Sequence, residues 1–222
     1  MPLHCLVTGA NRGIGLAFVR RLLARGDRVV AACRHPGKAT ALNTLAGEYP
    51  GRLHVLPLDV ADAKSRAELV RELPLVGGRI DLLINNAGVL HSGERFGALS
   101  AAHLEDSFRT NAAGPLLLTE ALAPTLSDGG CVANVSSQLG SIANTTRFGT
   151  PSYNISKAAQ NMATVLLAHA LHDRAIKVVA LHPGWVQTDM GGAGAQITVE
   201  ESVSGLLQVI DGLSPADSGR FL

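Results

Sequence analysis

The sequence predicts one doubly wound α/β domain over residues 1–222, a parallel β-sheet with helices on both faces. Three observations carry this. Six short apolar runs alternate with stretches of helical periodicity. The runs are continuously apolar rather than apolar at every second residue, the pattern of strands buried on both sides. Each run closes at its C-terminal end on glycine or polar residues, where a parallel strand turns into a loop.

The elements follow in order. The first run, 3–7, ends in Thr8-Gly9, and residues 15–25 place Leu16, Val19, Leu22 and Leu23 at helical spacing. The second, 27–33, holds Val29-Val30-Ala31-Ala32, and the third, 53–58, ends in Asp59-Val60. A helix is expected over 63–73. The fourth run, 80–84, ends in Asn85-Asn86-Ala87-Gly88, and one long helix is expected over 102–125. The fifth, 131–135, ends in Ser136-Ser137, followed by a helix over 153–174. The sixth, 177–181, ends in His182-Pro183-Gly184. The last helix is expected over 199–211, where Thr198 reads as its N-cap and Glu200-Glu201 as an acidic first turn. Residues 191–196, rich in glycine and alanine, read as a mobile loop.

Composition narrows the function classes. Apolar residues make up 46% of the 222, which excludes global disorder. The formal charge is +1 with no run of Lys and Arg, so no nucleic-acid partner is expected. Three cysteines, Cys5, Cys33 and Cys131, show no C-x-x-C spacing and read as small core hydrophobes in a reducing compartment. The first residues lack the basic and apolar regions of a signal peptide, and no apolar run approaches about 18 residues, the length of a membrane span. A cytoplasmic protein with no membrane partner is expected. His169 and His172 lie at i, i+3 with no third ligand in view, so no metal is expected.

Residues 8–15 read T-G-A-N-R-G-I-G, between a predicted strand and a predicted helix. Gly9, Gly13 and Gly15 permit a tight turn and close backbone approach to a pyrophosphate at a helix N-terminus, as in a Rossmann-type fold. The spacing differs from G-x-G-x-x-G, and the loop lacks the lysine of a Walker A motif. The residue ending the second strand of such a fold reads the adenosine ribose. Here it is Arg34, 19 residues beyond Gly15, and no acid stands beside it. A guanidinium pairs with a 2′-phosphate, and Arg12 stands within reach in the glycine loop. Two cations and no carboxylate argue for NADP(H).

Tyr153 stands four residues before Lys157 in Y-N-I-S-K, on one face of a helix. An ammonium beside a phenol favours the phenolate and is expected to lower its pKa. Such a phenol suits acid–base work in an alcohol–carbonyl interconversion.

With these residues in order, the sequence resembles the short-chain dehydrogenases/reductases from about residue 3 to the end. The motifs are T-G-A-N-R-G-I-G at 8–15, Asp59-Val60, N-N-A-G at 85–88, Asn111, N-V-S-S at 134–137, Y-N-I-S-K at 153–157 and H-P-G-W-V-Q-T-D at 182–189. A-C-R at 32–34, S-S-Q-L-G-S-I at 136–142, H-P-G-W-V-Q-T-D-M-G-G at 182–192 and T-V-E-E-S at 198–202 resemble the sniffer-like and C-factor-like carbonyl reductases within that family.

The resemblance implies an NADPH-dependent reductase of aldehydes, ketones or quinones. Tyr153 would be the acid, and Lys157 would hold the nicotinamide ribose. Ser137, ahead of Ser136, would bond the substrate oxygen, and Asn111 would hold a water in a proton relay. Gly9, Asn11, Arg12, Gly13, Ile14 and Gly15 would cradle the phosphates. Asp59 and Val60 would touch the adenine. Asn85, Ala87 and Gly88 would form the floor, and Pro183, Gly184, Val186 and Thr188 the nicotinamide end. Trp185 reads equally as a pocket wall or as packing. Met162, Val165, Leu166 and Ala170 read as core or subunit contact, and the resemblance implies a homodimer or homotetramer through the helices over 102–125 and 153–174.

Two departures are notable. Ser137 and Tyr153 are 16 residues apart, longer than in most of the family, with the excess at 144–149, a feature of sniffer-like members. Relatives are also expected to continue past Leu222 with a segment that helps close the substrate pocket. A rival reading is an NADP(H)-binding sensor or signalling protein with little turnover. An intact Ser137, Tyr153 and Lys157 set favours the enzyme.

Overall fold

The computed structural model describes residues 2–192 and 194–222. Six parallel strands form its sheet: β1 (His4–Thr8), β2 (Arg28–Cys33), β3 (Leu53–Pro57), β4 (Ile80–Asn85), β5 (Leu126–Val135) and β6 (Lys177–Leu181). Their spatial order is β3-β2-β1-β4-β5-β6. The order reverses between β1 and β4, and the carboxyl ends of those strands open the crevice where such sheets take ligands. β1 aligns with β2 from His4 opposite Arg28 to Thr8 opposite Ala32, and with β4 at Val7 opposite Ile84.

Continuous burial follows from helices on both faces. Cys5, Val7, Val29, Ala31, Leu82 and Ile84 point to one face. There they meet α1 (Gly13–Arg25), α2 (Thr40–Glu48) and α7 (Val199–Asp211). Leu6, Val30, Leu83, Val132 and Val178 point to the other, against α3 (Ala63–Val76), α5 (Gly114–Leu122) and α6 (Pro151–Ala170). α7 begins as expected: Thr198 accepts from the Glu201 N–H at 3.2 Å, and the Glu201 carboxylate accepts from the Thr198 N–H at 2.8 Å. No described helix is long and apolar enough to cross a membrane.

The structure departs from the sequence reading in four places. α2 is an additional helix; only Leu42 and Leu45 of its nine residues are buried, too few for a periodic signal. The helix expected over 102–125 is α4 (Ala101–Phe108), a π-helical turn at Arg109–Ala113, α5 and a 3₁₀ turn at Ala123–Thr125. β5 starts at Leu126, five residues early, because Ser127 to Gly130 carry no apolar pattern. Residues 219–222 run beside β6, with Phe221 paired in parallel to Ala180, and cover its outer edge.

Candidate active site

A cleft of about 880 Å³ lies along the carboxyl ends of the strands. Every strand end feeds it. Gly9 to Ile14 follow β1, Arg34 follows β2, Asp59 and Val60 follow β3, Ala87 and Gly88 follow β4, Ser137 follows β5, and Pro183 to Gly191 follow β6. Tyr153 and Lys157 reach it from α6.

The glycine loop is shaped by close approach. Gly9 has φ +62°, and a Cβ there would stand 2.8 Å from the Ala87 Cα. A Cβ on Gly15 would stand 2.3 Å from the Gly9 carbonyl oxygen. The Thr8 hydroxyl accepts from the N–H groups of both Asn86 and Ala87 at 3.0 Å, and the Asn86 amide donates back to the Thr8 and Gly9 carbonyls. These bonds lock the β1 and β4 loops together. No described side chain caps α1 and no acid stands in its first turn, so its N–H groups face the cleft as an anion site. That chemistry fits a pyrophosphate.

Lys157 is 3% exposed. Its ammonium donates to the Val135 carbonyl at 2.7 Å and to Gln160 Oε1 at 2.8 Å. Burial pushes its pKa down to about 7. Tyr153 is 8% exposed, and the Lys157 nitrogen stands 5.6 Å from the centre of its ring. Burial pushes the phenol up to about 12, while the neighbouring Ser137 side chain pulls it down. The expected lowering of the phenol is therefore reversed: desolvation of the phenolate is the largest cause and Ser137 offsets only part of it, while Lys157 is itself desolvated. Ser137 caps a 3₁₀ turn, its Oγ accepting from the Leu139 N–H at 3.1 Å. Ser136 turns to α6 and donates to Asn161 Oδ1 at 2.6 Å.

Comparison with known proteins gives the family. The short chain dehydrogenase family matches residues 3–196. The chain is 47% identical over 146 residues to the C-signal of Myxococcus xanthus, covering 65% of this chain and 88% of that protein. The NADPH-bound carbonyl reductase from chicken fatty liver superposes with a TM-score of 0.93 at 40% identity, covering 100% of this chain and 96% of that one. Carbonyl reductase Sniffer of D. melanogaster superposes with a TM-score of 0.95 at 32% identity, with the same coverage. The chain belongs to the short-chain dehydrogenase family.

Within this oxidoreductase frame the structure separates the sequence-predicted residues. Gly9, Asn11, Arg12, Gly13, Ile14, Arg34, Asp59, Val60, Ala87, Gly88, Ser137, Tyr153, Lys157, Pro183, Gly184, Val186 and Thr188 line the cleft. Asn85, Asn111 and Gly15 do not. Asn85 points into the core, donating to Thr119 Oγ1 at 3.2 Å and Asn134 Oδ1 at 2.8 Å. Its neighbour Asn86 lines the cleft instead. Asn111 sits in the π-helical turn with its amide fully engaged: it accepts from the Val89 N–H and donates to the Val89 carbonyl, both at 2.8 Å, and donates to Ser156 Oγ. Gly15 instead lets the first turn of α1 press against the Gly9 carbonyl and the Asn86 amide.

Arg12 lines the cleft, but its guanidinium is paired with Asp189 at 2.7 Å rather than standing ready for a phosphate. Lys38, which sequence reasoning missed, joins Arg34 at that end of the cleft. No described acid lies within ion-pairing distance of either cation. Trp185 is half-exposed and lines the cleft, its indole donating to the Gly191 carbonyl at 2.8 Å, so it is a wall rather than packing. Among 191–196, residue 193 lies outside the described residues.

Proposed function

We propose that this protein is an NADPH-dependent carbonyl reductase working through Tyr153, Lys157 and Ser137. The observation that carries this is a buried Tyr153 phenol beside Ser137, in the same cleft as an uncapped helix N-terminus. A phenol held at about 12 stays neutral near pH 7, as an acid must when it gives a proton to a carbonyl oxygen. NADPH, when bound, supplies the hydride. Tyr153 donates a hydrogen bond and then its proton to the oxygen on which charge develops, and Ser137 donates a second hydrogen bond. Lys157 holds the nicotinamide ribose. Asn111 orders the segment at Val89, and the water relay assigned to it by resemblance would run through its main chain, because its side chain is engaged.

The α1 N-terminus would hold the pyrophosphate, with Asp59 and Val60 at the adenine. Arg34 and Lys38 would take the 2′-phosphate, and Arg12 would join them only by leaving Asp189. The chicken fatty liver carbonyl reductase holds NADPH and a short-chain dehydrogenase/reductase from Burkholderia multivorans holds NADP, which supports the same cofactor here. Leu90, Leu139, Trp185 and Met190 give the cleft an apolar wall, which supports aldehydes, ketones or quinones of modest size. Exposed Phe108, Leu117, Ile155, Met162 and Leu166 on α4, α5 and α6 support a homodimer or homotetramer. Three buried, unbridged cysteines support a cytoplasmic setting.

Similarity to a protein named C-signal supports a second reading, in which binding of NADP(H) rather than turnover is the function. One variant separates the two. Tyr153→Phe is expected to lose about 10²–10⁴-fold in NADPH-dependent carbonyl turnover while NADPH titrates as in wild type. No turnover in the wild type across an aldehyde, ketone and quinone panel, with NADPH still bound, would favour the second reading.

A further inference from the structure

The helix that presents Tyr153 and Lys157 has no cap from its own sequence. Thr150 precedes it at φ +42°, a left-handed conformation uncommon for threonine, and its hydroxyl bonds to Asn154 Oδ1 rather than to a first-turn N–H. Pro151 has no N–H to offer. The next N–H, that of Ser152, is taken by Glu94. Glu94 Oε2 accepts from the Ser152 N–H at 3.2 Å and from the Ser152 hydroxyl at 2.6 Å, across 58 residues of sequence. The Glu94 side chain is only 2% exposed. A carboxylate at that place satisfies an orphan donor and meets the positive end of the helix dipole.

The remaining contacts tie Glu94 to the cleft. Its second oxygen has no hydrogen-bond partner among the described residues and faces His103 Nδ1, also unpartnered, at 3.9 Å. The His103 ring stacks on His91 with centroids 4.1 Å apart. His91 Nε2 stands 2.9 Å from Asp106, which lines the cleft. Residues 88–94 thus form a strap, held by Asn111 at Val89, by Asp106 at His91 and by Ser152 at Glu94. The strap supplies the cleft wall at Val89 and Leu90.

Stability alone is a poor reason for this arrangement. A buried carboxylate with one unsatisfied oxygen carries a desolvation penalty, and Thr150, itself a residue type that caps helices from an extended backbone, is held left-handed and leaves that task to Glu94. What the long-range cap adds is place, because Ser152 is the residue before Tyr153. We propose that Glu94 is a positioning residue of the site: by capping α6 at Ser152 it sets the position of the Tyr153 phenol and couples the cleft wall to the helix that bears it. The catalytic part of this rests on the proposed function; the structural part does not.

The test reads the phenol directly. The chain has two tyrosines, so a Tyr49→Phe background leaves Tyr153 as the one tyrosinate absorbance signal. In a rapid pH jump this phenol is expected to resist ionisation to about 12. With Glu94→Ala added, the first turn of α6 loosens and the phenol is expected to titrate toward the ordinary value of about 10. Carbonyl turnover should fall about tenfold to a hundredfold through kcat, the scale of a misplacement near 1 Å, with NADPH affinity unchanged. Glu94→Gln keeps an acceptor for Ser152 and is expected to restore both readouts. A phenol titration unmoved by Glu94→Ala in a folded protein overturns the proposal whatever kcat does, as does a Gln variant that restores neither readout. Should the alanine variant not fold, Ser152→Ala, which removes the shorter bond alone, must shift the phenol the same way by less; no shift overturns the proposal. A wild type without carbonyl turnover defeats the functional reading and leaves the titration to decide the role of Glu94.

Discussion

At the β1–α1 end of the cleft, the turn itself is made by residues close together in sequence, Thr8, Gly9, Gly13 and Gly15 within eight positions, and one distant loop, at Asn86 and Ala87, is bonded onto it. At the α6 end, the same cleft is shaped by residues that meet only in the fold. Ser152 is capped by Glu94 from 58 residues away, Val89 is gripped by Asn111 from 22 away, and Lys157 is held by the Val135 carbonyl from 22 away. The first end works through small backbone turns and absent side chains. The second works through buried polar side chains whose partners must be brought to them. A site of the first kind fails by steric overfilling, and a site of the second kind fails by losing a partner or a proton.

The largest expected effect breaks the first end. Gly15→Ala places a Cβ against the Gly9 carbonyl, backbone that cannot rotate away, 2.3 Å from where it would sit. Overpacking of this type costs about 1–3 kcal/mol, which in a chain of this size lowers Tm by roughly 2–12 °C. NADPH binding should weaken with it. Calorimetry and a fluorescence titration read the two effects. A stable variant with intact binding would mean that helix and loop do not approach so closely.

The second effect tests the other end through a proton. Burial holds Lys157 at about 7 in the folded state, below its ordinary 10.5. Above about pH 7 the unfolded chain therefore binds more protons than the folded one, and stability rises with pH. The rise is confined to the window below about 9, because burial raises the thiols of Cys5 and Cys131 from 9.0 and makes stability fall again above it. Denaturant unfolding is expected to show a gain of about 1–2 kcal/mol between about pH 7 and pH 8.5. Lys157→Met should abolish that slope. A slope that survives in the variant would assign it to another group.

The smallest effect lies at the exposed edge of the first end. Arg34→Ala removes the proposed solvent-exposed pair with a 2′-phosphate, worth about 0.2–1 kcal/mol, or up to roughly fivefold in NADPH affinity. NADH affinity should not change. Equal losses for both cofactors would place Arg34 elsewhere than at the 2′-phosphate.

Much of this was legible before the fold. Strands buried on both faces must be apolar throughout, so their runs stand out, and all six appear in the structure within a few residues of their expected places. Glycine is demanded at 9 by a positive φ and at 15 by the close approach of the helix to the glycine loop, so the loop could be read from spacing alone. α2 left little trace because a helix lying over the sheet edge buries few residues. The break at Arg109–Ala113 was hidden because α-helical and π-helical turns carry the same apolar residues. N-N-A-G offered two asparagines, and nothing local says which faces the core; packing against Asn134 and Thr119 decided for Asn85.

Local sequence, through periodicity and backbone geometry, determined the parallel sheet, the glycine turn, the Thr198 capping box and the i, i+4 placement of Tyr153 and Lys157. Only the tertiary structure decided that Lys157 would lose its solvent, that the Tyr153 phenol would rise rather than fall, that Arg12 would meet Asp189, and that Glu94 would cap α6. Each of these depends on which distant groups exclude water from a charge or supply its partner. Desolvation and pairing are properties of the folded surroundings, with no period in the chain to announce them.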